Sequence, residues 1–186
     1  MVSIPSLWLP ILLSAVFVFL ASWLIHMLVP YHRSDYGKVP TEDAVQDALG
    51  KFNIPPGDYM IPCACGPEGM NSPDFQAKFK KGPVVMMTVC RPGPMNMGSS
   101  LAQWFVYLLL VGMFAAYITG RALRPGAEYL EVFRFAGCTA FLSYSIALWQ
   151  DSIWYKRKWS TTIKNTFDGL IYGLLTAGTF GWLWPR

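Results

Sequence analysis

Charge is scarce in this chain: Asp, Glu, Lys and Arg make up only 14% of its 186 residues, against about a quarter in an ordinary soluble domain. Histidine is scarcer still, with His26 and His32 the whole supply. Acid–base machinery therefore has little to draw on. No GxSxG elbow, HExxH pair, P-loop or pair of catalytic carboxylates within an apolar stretch makes up the deficit. The expectation is a protein that is not an enzyme. No Lys or Arg precedes the first apolar run, and no A-x-A-like site ends it. That run also exceeds the roughly 7–15 residues of a signal-peptide core, so it reads as a retained anchor. The net charge of +4 is spread beside the apolar segments and not gathered into a patch. Such spacing excludes nucleic acid as a partner and suits lipid headgroups.

What the chain does have is apolar length, with 53% hydrophobic residues. Four runs, Leu7–Val29, Leu101–Thr119, Val132–Trp149 and Phe167–Trp184, hold 18 to 23 residues each. A hydrocarbon core of about 30 Å takes about 20 helical residues to cross. The predicted fold is therefore all-α transmembrane: four membrane-spanning helices with a small α/β extramembrane module between helices one and two. The divisions are a first helix at 1–30, the module at 31–100 and a three-helix region at 101–186. Lys and Arg number eleven on the side of the first and third connections and four on the other. The positive-inside rule then makes the long loop cytoplasmic and both termini periplasmic.

Within the module, Thr41 followed by Glu42 and Asp43 predicts a helix start, and Val45, Leu49 and Phe52 share one face. Tyr59–Ala64 predicts a strand that Pro62 confines to an edge, and Val84–Cys90 predicts its partner. Between them, Ser72 and Pro73 open a second short helix running to Lys81. A lone two-stranded ribbon is marginal in water, so the module is expected to lean on the membrane surface or on a partner.

Cys63, Cys65 and Cys90 offer three soft ligands, with His32 as a fourth, but one residue between Cys63 and Cys65 is tight for a tetrahedral ion. No metal is expected there. A disulfide from Cys90 to Cys63 or Cys65 and free thiols both stay open; Cys138, inside the third run, is expected to pack. His26 is the one histidine within a run, and Ser22 a turn earlier leaves room for a flat macrocycle. A pigment or haem on His26 is thus the one cofactor considered; otherwise none is expected, and His26 is an interfacial imidazole. Asp168 and Arg134 lie nearest the membrane interior, where a charge costs about 2.5–3.5 kcal/mol. Asp168 is a candidate ion-path residue. Helical pairs Lys164–Asp168 and Glu131–Arg134 would instead hold both at headgroup depth.

Two stripes of small residues stand out: Gly112, Ala116 and Gly120, and Gly169, Gly173, Ala177 and Gly181. Small residues four apart make a smooth groove for close helix contact. Helices two and four are expected to pack through them, against each other or against other subunits. Trp149, Trp154, Trp159, Trp182 and Trp184 are expected as interfacial anchors, with Lys156, Arg157 and Lys158 among the headgroups.

The runs Ser152-Ile153-Trp154, Trp159-Ser160-Thr161-Thr162 and Phe167-Asp168-Gly169-Leu170-Ile171-Tyr172, and the ending 176–185, resemble an uncharacterised group of small four-span bacterial inner-membrane proteins. So do Gly57-Asp58-Tyr59 and Gly82-Pro83-Val84-Val85. The resemblance implies a bacterial inner-membrane location and no mechanism. The expected role is that of a non-catalytic accessory or stabilising subunit of a larger inner-membrane complex, by analogy respiratory or photosynthetic. Its partners would be other membrane-protein subunits and membrane lipids. The alternatives are a homo-oligomeric transporter or channel, with Ser143, Ser145, Thr176 and Asp168 along its path, and a redox or pigment- or haem-binding membrane protein.

Overall fold

The computed structural model describes residues 1–64, 66–94 and 96–186. In chain order its elements are α1 (Trp8–Leu28), α2 (Glu42–Gly50), β1 (Gly57–Ile61), α3 (Pro67–Met70), α4 (Pro73–Lys81), β2 (Val85–Val89), α5 (Met97–Ala122), α6 (Tyr129–Ser145), α7 (Trp149–Ile153) and α8 (Trp159–Trp182). Short 3₁₀ turns occupy Ile4–Leu7, Pro30–Ser34 and Ile146–Leu148. The chain divides into a helical unit, Met1–Tyr36 with Asn96–Arg186, and a second unit, Gly37–Met95. Residues 31–36, expected in the module, belong instead to the helical unit.

Three helical stretches, Ile4–Leu28, Met97–Ala122 and Tyr129–Ile153, are long and apolar enough to cross a membrane. The fourth long helix, α8, has 24 residues but starts at Trp159, well before the expected Phe167. It thereby takes in Lys164 and Asn165 beside the Asp168 already in the expected run, and these dilute its apolar character. Three of its threonines donate to carbonyls one turn back: Thr166 to Thr162, Thr176 to Tyr172 and Thr179 to Leu175. That bonding hides hydroxyls from apolar surroundings.

The long helices pack in a ring, α1 on α5, α5 on α6, α6 on α8 and α8 on α1. Their buried faces follow helical spacing, as in Val132, Ala136, Ala140 and Tyr144 of α6. The glycines set the approach. A Cβ at Gly173 would stand 3.1 Å from Phe141 Cβ, and one at Gly181 2.6 Å from the Tyr129 ring. Both neighbours belong to α6. On α5, a Cβ at Gly112 would meet Ile11 at 3.3 Å, and one at Gly120 would meet the Val2 carbonyl at 2.6 Å. The two stripes therefore do not face each other. The α5 stripe takes α1 and the segment before it, and the α8 stripe takes α6. Each smooth groove is filled here by bulky neighbours, Ile11 in the α5 groove and Phe141 and Tyr129 in the α8 groove.

Both ends of the chain meet at one end of the ring. The Val2 N–H donates to the Gly120 carbonyl and the Gly126 N–H to the Pro185 carbonyl, each at 2.8 Å. Trp184, expected as an interfacial anchor, is buried here among Leu7, Ala115, Ala116, Val132 and Phe180. Its indole donates to the Arg124 carbonyl at 3.0 Å, which explains why the ring points inward. Trp154 and Trp182 are exposed, and Trp149 and Trp159 meet edge to face on the outside. Glu131 does not pair with Arg134; it accepts the Glu128 N–H and closes the α6 N-terminus. Cys138 is exposed on the outer face of α6, not packed inside.

In the second unit β1 and β2 pair antiparallel, from Gly57 opposite Val89 to Ile61 opposite Val85. Ser72 accepts the Phe75 N–H at the start of α4. Thr41 does not cap α2: it sits in the left-handed region with φ 50°, and its hydroxyl donates to the Pro40 carbonyl. The register also separates the cysteines. Cys63 follows the Ile61 end of the ribbon and Cys90 the opposite, Val89 end. Five residues at about 3.4 Å each exceed the roughly 7 Å limit for a disulfide, so Cys63 and Cys90 neither bridge nor share an ion. Both are free thiols, and Cys65 lies outside the described residues. Among the described residues of this unit none is buried. Val45, Leu49, Phe52, Ile61, Phe79 and Met86 are all exposed.

Candidate functional site

Pro30 ends α1 and starts the 3₁₀ turn Pro30–Ser34, since it lacks an N–H for the helix and presets its own φ. The turn folds the chain back on α1. The His32 ring comes to 4.5 Å, centroid to centroid, from that of His26 and stands perpendicular to it at 87°. The early start of α8 places Lys164 and Asp168 against the same turn.

The resulting cluster is closed by short contacts. His32 Nε2 lies 2.8 Å from Asp168 Oδ2, and His32 Nδ1 lies 2.6 Å from Asp35 Oδ2. Lys164 Nζ donates to Asp35 Oδ1 and to Ser34 Oγ, each at 2.8 Å, and to the Tyr31 carbonyl. Thr161 Oγ1 donates to Asp35 Oδ1 at 3.3 Å. The expected Lys164–Asp168 pair is thus replaced by two pairs between residues distant in sequence, His32–Asp168 and Lys164–Asp35. Side-chain exposure is 3% for Asp168, 9% for Asp35 and 15% for His32, so water screens these charges little. Burial works against the charge on Asp35, but the hydrogen bonds and charges of Lys164 and His32 outweigh it. They hold the Asp35 carboxyl below the usual carboxylate range.

A neutral imidazole has one N–H, so His32 bonds both carboxylates as a donor only when protonated. With His32 protonated, the charges of Asp35, His32, Lys164 and Asp168 cancel. One acceptor is left over: among the described residues Asp168 Oδ1 is buried without a hydrogen-bond partner, as is the hydroxyl of Tyr172. Both residues line an open pocket of about 560 Å³, together with His26, Gln103, Trp104, Tyr107, Tyr144 and Asn165. Its size falls within the span of small-molecule sites, about 300–1,000 Å³. His26, His32 and Asp168 each present a ligand atom, all within 4.8 Å of one another.

Of the residues that the sequence singled out, His26, His32 and Asp168 come together here, His32 away from the cysteines with which it was grouped. The space beside Ser22 that a macrocycle would need is taken by Trp104, whose indole donates to Ser22 Oγ at 3.0 Å. Of the four residues named for an ion path, Asp168 alone lines the pocket. Ser143, Ser145 and Thr176 spend their hydroxyls on backbone carbonyls of Thr139, Thr166 and Tyr172. Sequence reasoning missed the grouping of His32, Asp35 and Lys164 with Asp168. The available signal was charge complementarity at matching depth: a His and an Asp just after the first span, a Lys and an Asp early in the last helix. Comparison with protein-family models, with curated proteins and with solved structures finds no match.

Proposed function

We propose that this protein is a four-span, non-catalytic accessory subunit of a larger bacterial inner-membrane complex, and that its extramembrane module is completed by a partner subunit. The observation that carries the reading is the coreless module: no described residue between 37 and 94 is buried. A unit of this size that buries so little apolar surface cannot offset its own ordering entropy. Its apolar residues are also arranged. An open groove of about 890 Å³ is lined by Val45, Leu49, Ile61, Val85 and Met87, with Lys78 and Lys81 beside it. A contiguous apolar groove with a basic margin is the form of a protein-docking surface. The length of α8 and its back-bonded threonines support a fourth span, about 36 Å at 1.5 Å per residue. The excess of Lys and Arg supports a cytoplasmic module with periplasmic termini.

The test is purification in mild detergent from cells that express the chain at its natural level. The wild-type chain should run in an assembly with other polypeptides. Leu49→Asp or Met87→Asp should release it while the helical content is unchanged. A wild-type chain that runs as a monomer or a homogeneous homo-oligomer contradicts the proposal, and the oligomer would favour the transport reading.

A further inference from the structure

We propose that His26, His32 and Asp168 bind one divalent first-row transition-metal ion. The first support is convergence. Three donors from separate segments, α1, the 3₁₀ turn and α8, lie with ligand atoms inside 4.8 Å of one another. A tetrahedral ion with bonds of about 2.0–2.1 Å sets its ligands about 3.3 Å apart, so the donors close by about 1.5 Å at most to share one ion.

The second support is Asp168 itself. It is 2% exposed, and its Oδ1 has no partner. Its Oδ2 is paired with His32 Nε2, and the unused Oδ1 is a buried acceptor that a donor or a cation would satisfy.

The third support is the outer layer. Asp35 stands 2.6 Å from His32 Nδ1 and is itself held by Lys164 and Thr161. A carboxylate on one imidazole nitrogen fixes the tautomer and presents the other nitrogen as a lone pair. Here that other nitrogen, Nε2, faces Asp168. When the ion binds, it displaces the proton on His32 Nε2 and takes a lone pair from that nitrogen and from one carboxylate oxygen of Asp168. That proton leaves to solvent, and the ion accepts one electron pair from each of the three residues.

The donor set selects the ion class. Two imidazoles and one carboxylate suit zinc, cobalt or ferrous iron, while magnesium and calcium prefer all-oxygen cages. Three protein ligands also leave coordination positions open. His26 and Asp168 border the 560 Å³ pocket, which Trp104, Tyr107 and Tyr172 also line.

The experiment titrates the purified full-length chain, with all four cysteines replaced by serine, using Co²⁺ as the probe. A visible d–d band should saturate at one ion per chain and be displaced by Zn²⁺. His26→Gln and Asp168→Asn should each weaken Co²⁺ binding at least tenfold, with helical circular dichroism unchanged. Asp35→Asn should keep the band and weaken binding about 10–100-fold, as loss of an outer-layer partner does. The proposal is overturned if the helical chain gives no saturable band, because this reading needs no variant to fold. It is equally overturned if the band survives both His26→Gln and Asp168→Asn with unchanged affinity.

Discussion

Lys164 and Asp168 lie one turn apart on α8 and still take separate partners. An exposed i,i+4 pair is worth only about 0.3–0.5 kcal/mol, so it yields when a buried alternative is at hand. The alternative comes from residues more than a hundred positions away, His32 and Asp35, delivered by the turn after Pro30. Local spacing therefore made the pairing on α8 look complete, while the true partners depended on a reversal of the chain that spacing cannot express. Lys164 supplies the sharpest test at this scale. Its side chain is 20% exposed and bonds an Asp35 that is 9% exposed. Lys164→Met leaves that carboxylate short of its main counter-charge and should cost about 3 kcal/mol, the lower end for breaking a buried pair. Thermal unfolding in detergent should show a clear drop. Lys38→Met removes an exposed pair with Glu42 and should shift the midpoint little. Equal effects of the two substitutions would mean that the cluster is as well solvated as the surface.

At the scale of elements, the apolar runs and the small-residue stripes were legible because both are periodic within one segment. Their partners were not. The stripe on α5 lies against α1 and that on α8 against α6, each groove filled by bulky side chains of its neighbour. The first strand starts two residues earlier than expected, with β1 ending at Ile61 because Pro62 cannot donate to the ladder, while β2 is trimmed by one residue at each end. The start of α8 was misplaced for a different reason. Lys164 and Asn165 looked like loop residues by hydropathy, yet Lys164 is bonded to the Tyr31 carbonyl and Ser34 hydroxyl of the 3₁₀ turn. Close approach at the glycines predicts a graded response. Gly173→Leu forces a branched side chain against Phe141 Cα and N at 3.3 Å and should destabilise the chain by about 3 kcal/mol or more. At Gly178 an added Cβ meets only the Tyr129 hydroxyl, at 3.6 Å, so Gly178→Ala should change stability by less than about 1 kcal/mol. Comparable losses at both positions would place the tight seam elsewhere.

The whole molecule combines two units of opposite character. The helical unit has two apolar clusters and a bonded charge cluster, and it is internally satisfied save for a few polar atoms. The second unit has a ribbon, short helices and no buried residue among those described. Selection of a partner by such a unit is the core of the functional reading, and local stability is the quantity that reports on it. Amide hydrogen exchange on the full-length chain measures it directly, in lipid nanodiscs and in native membranes. In nanodiscs, residues 37–94 should exchange fast while α1, α5, α6 and α8 are strongly protected; in native membranes the same module should become protected. A module already protected in nanodiscs would contradict the account, because its own packing or the lipid surface would then complete it without any partner subunit.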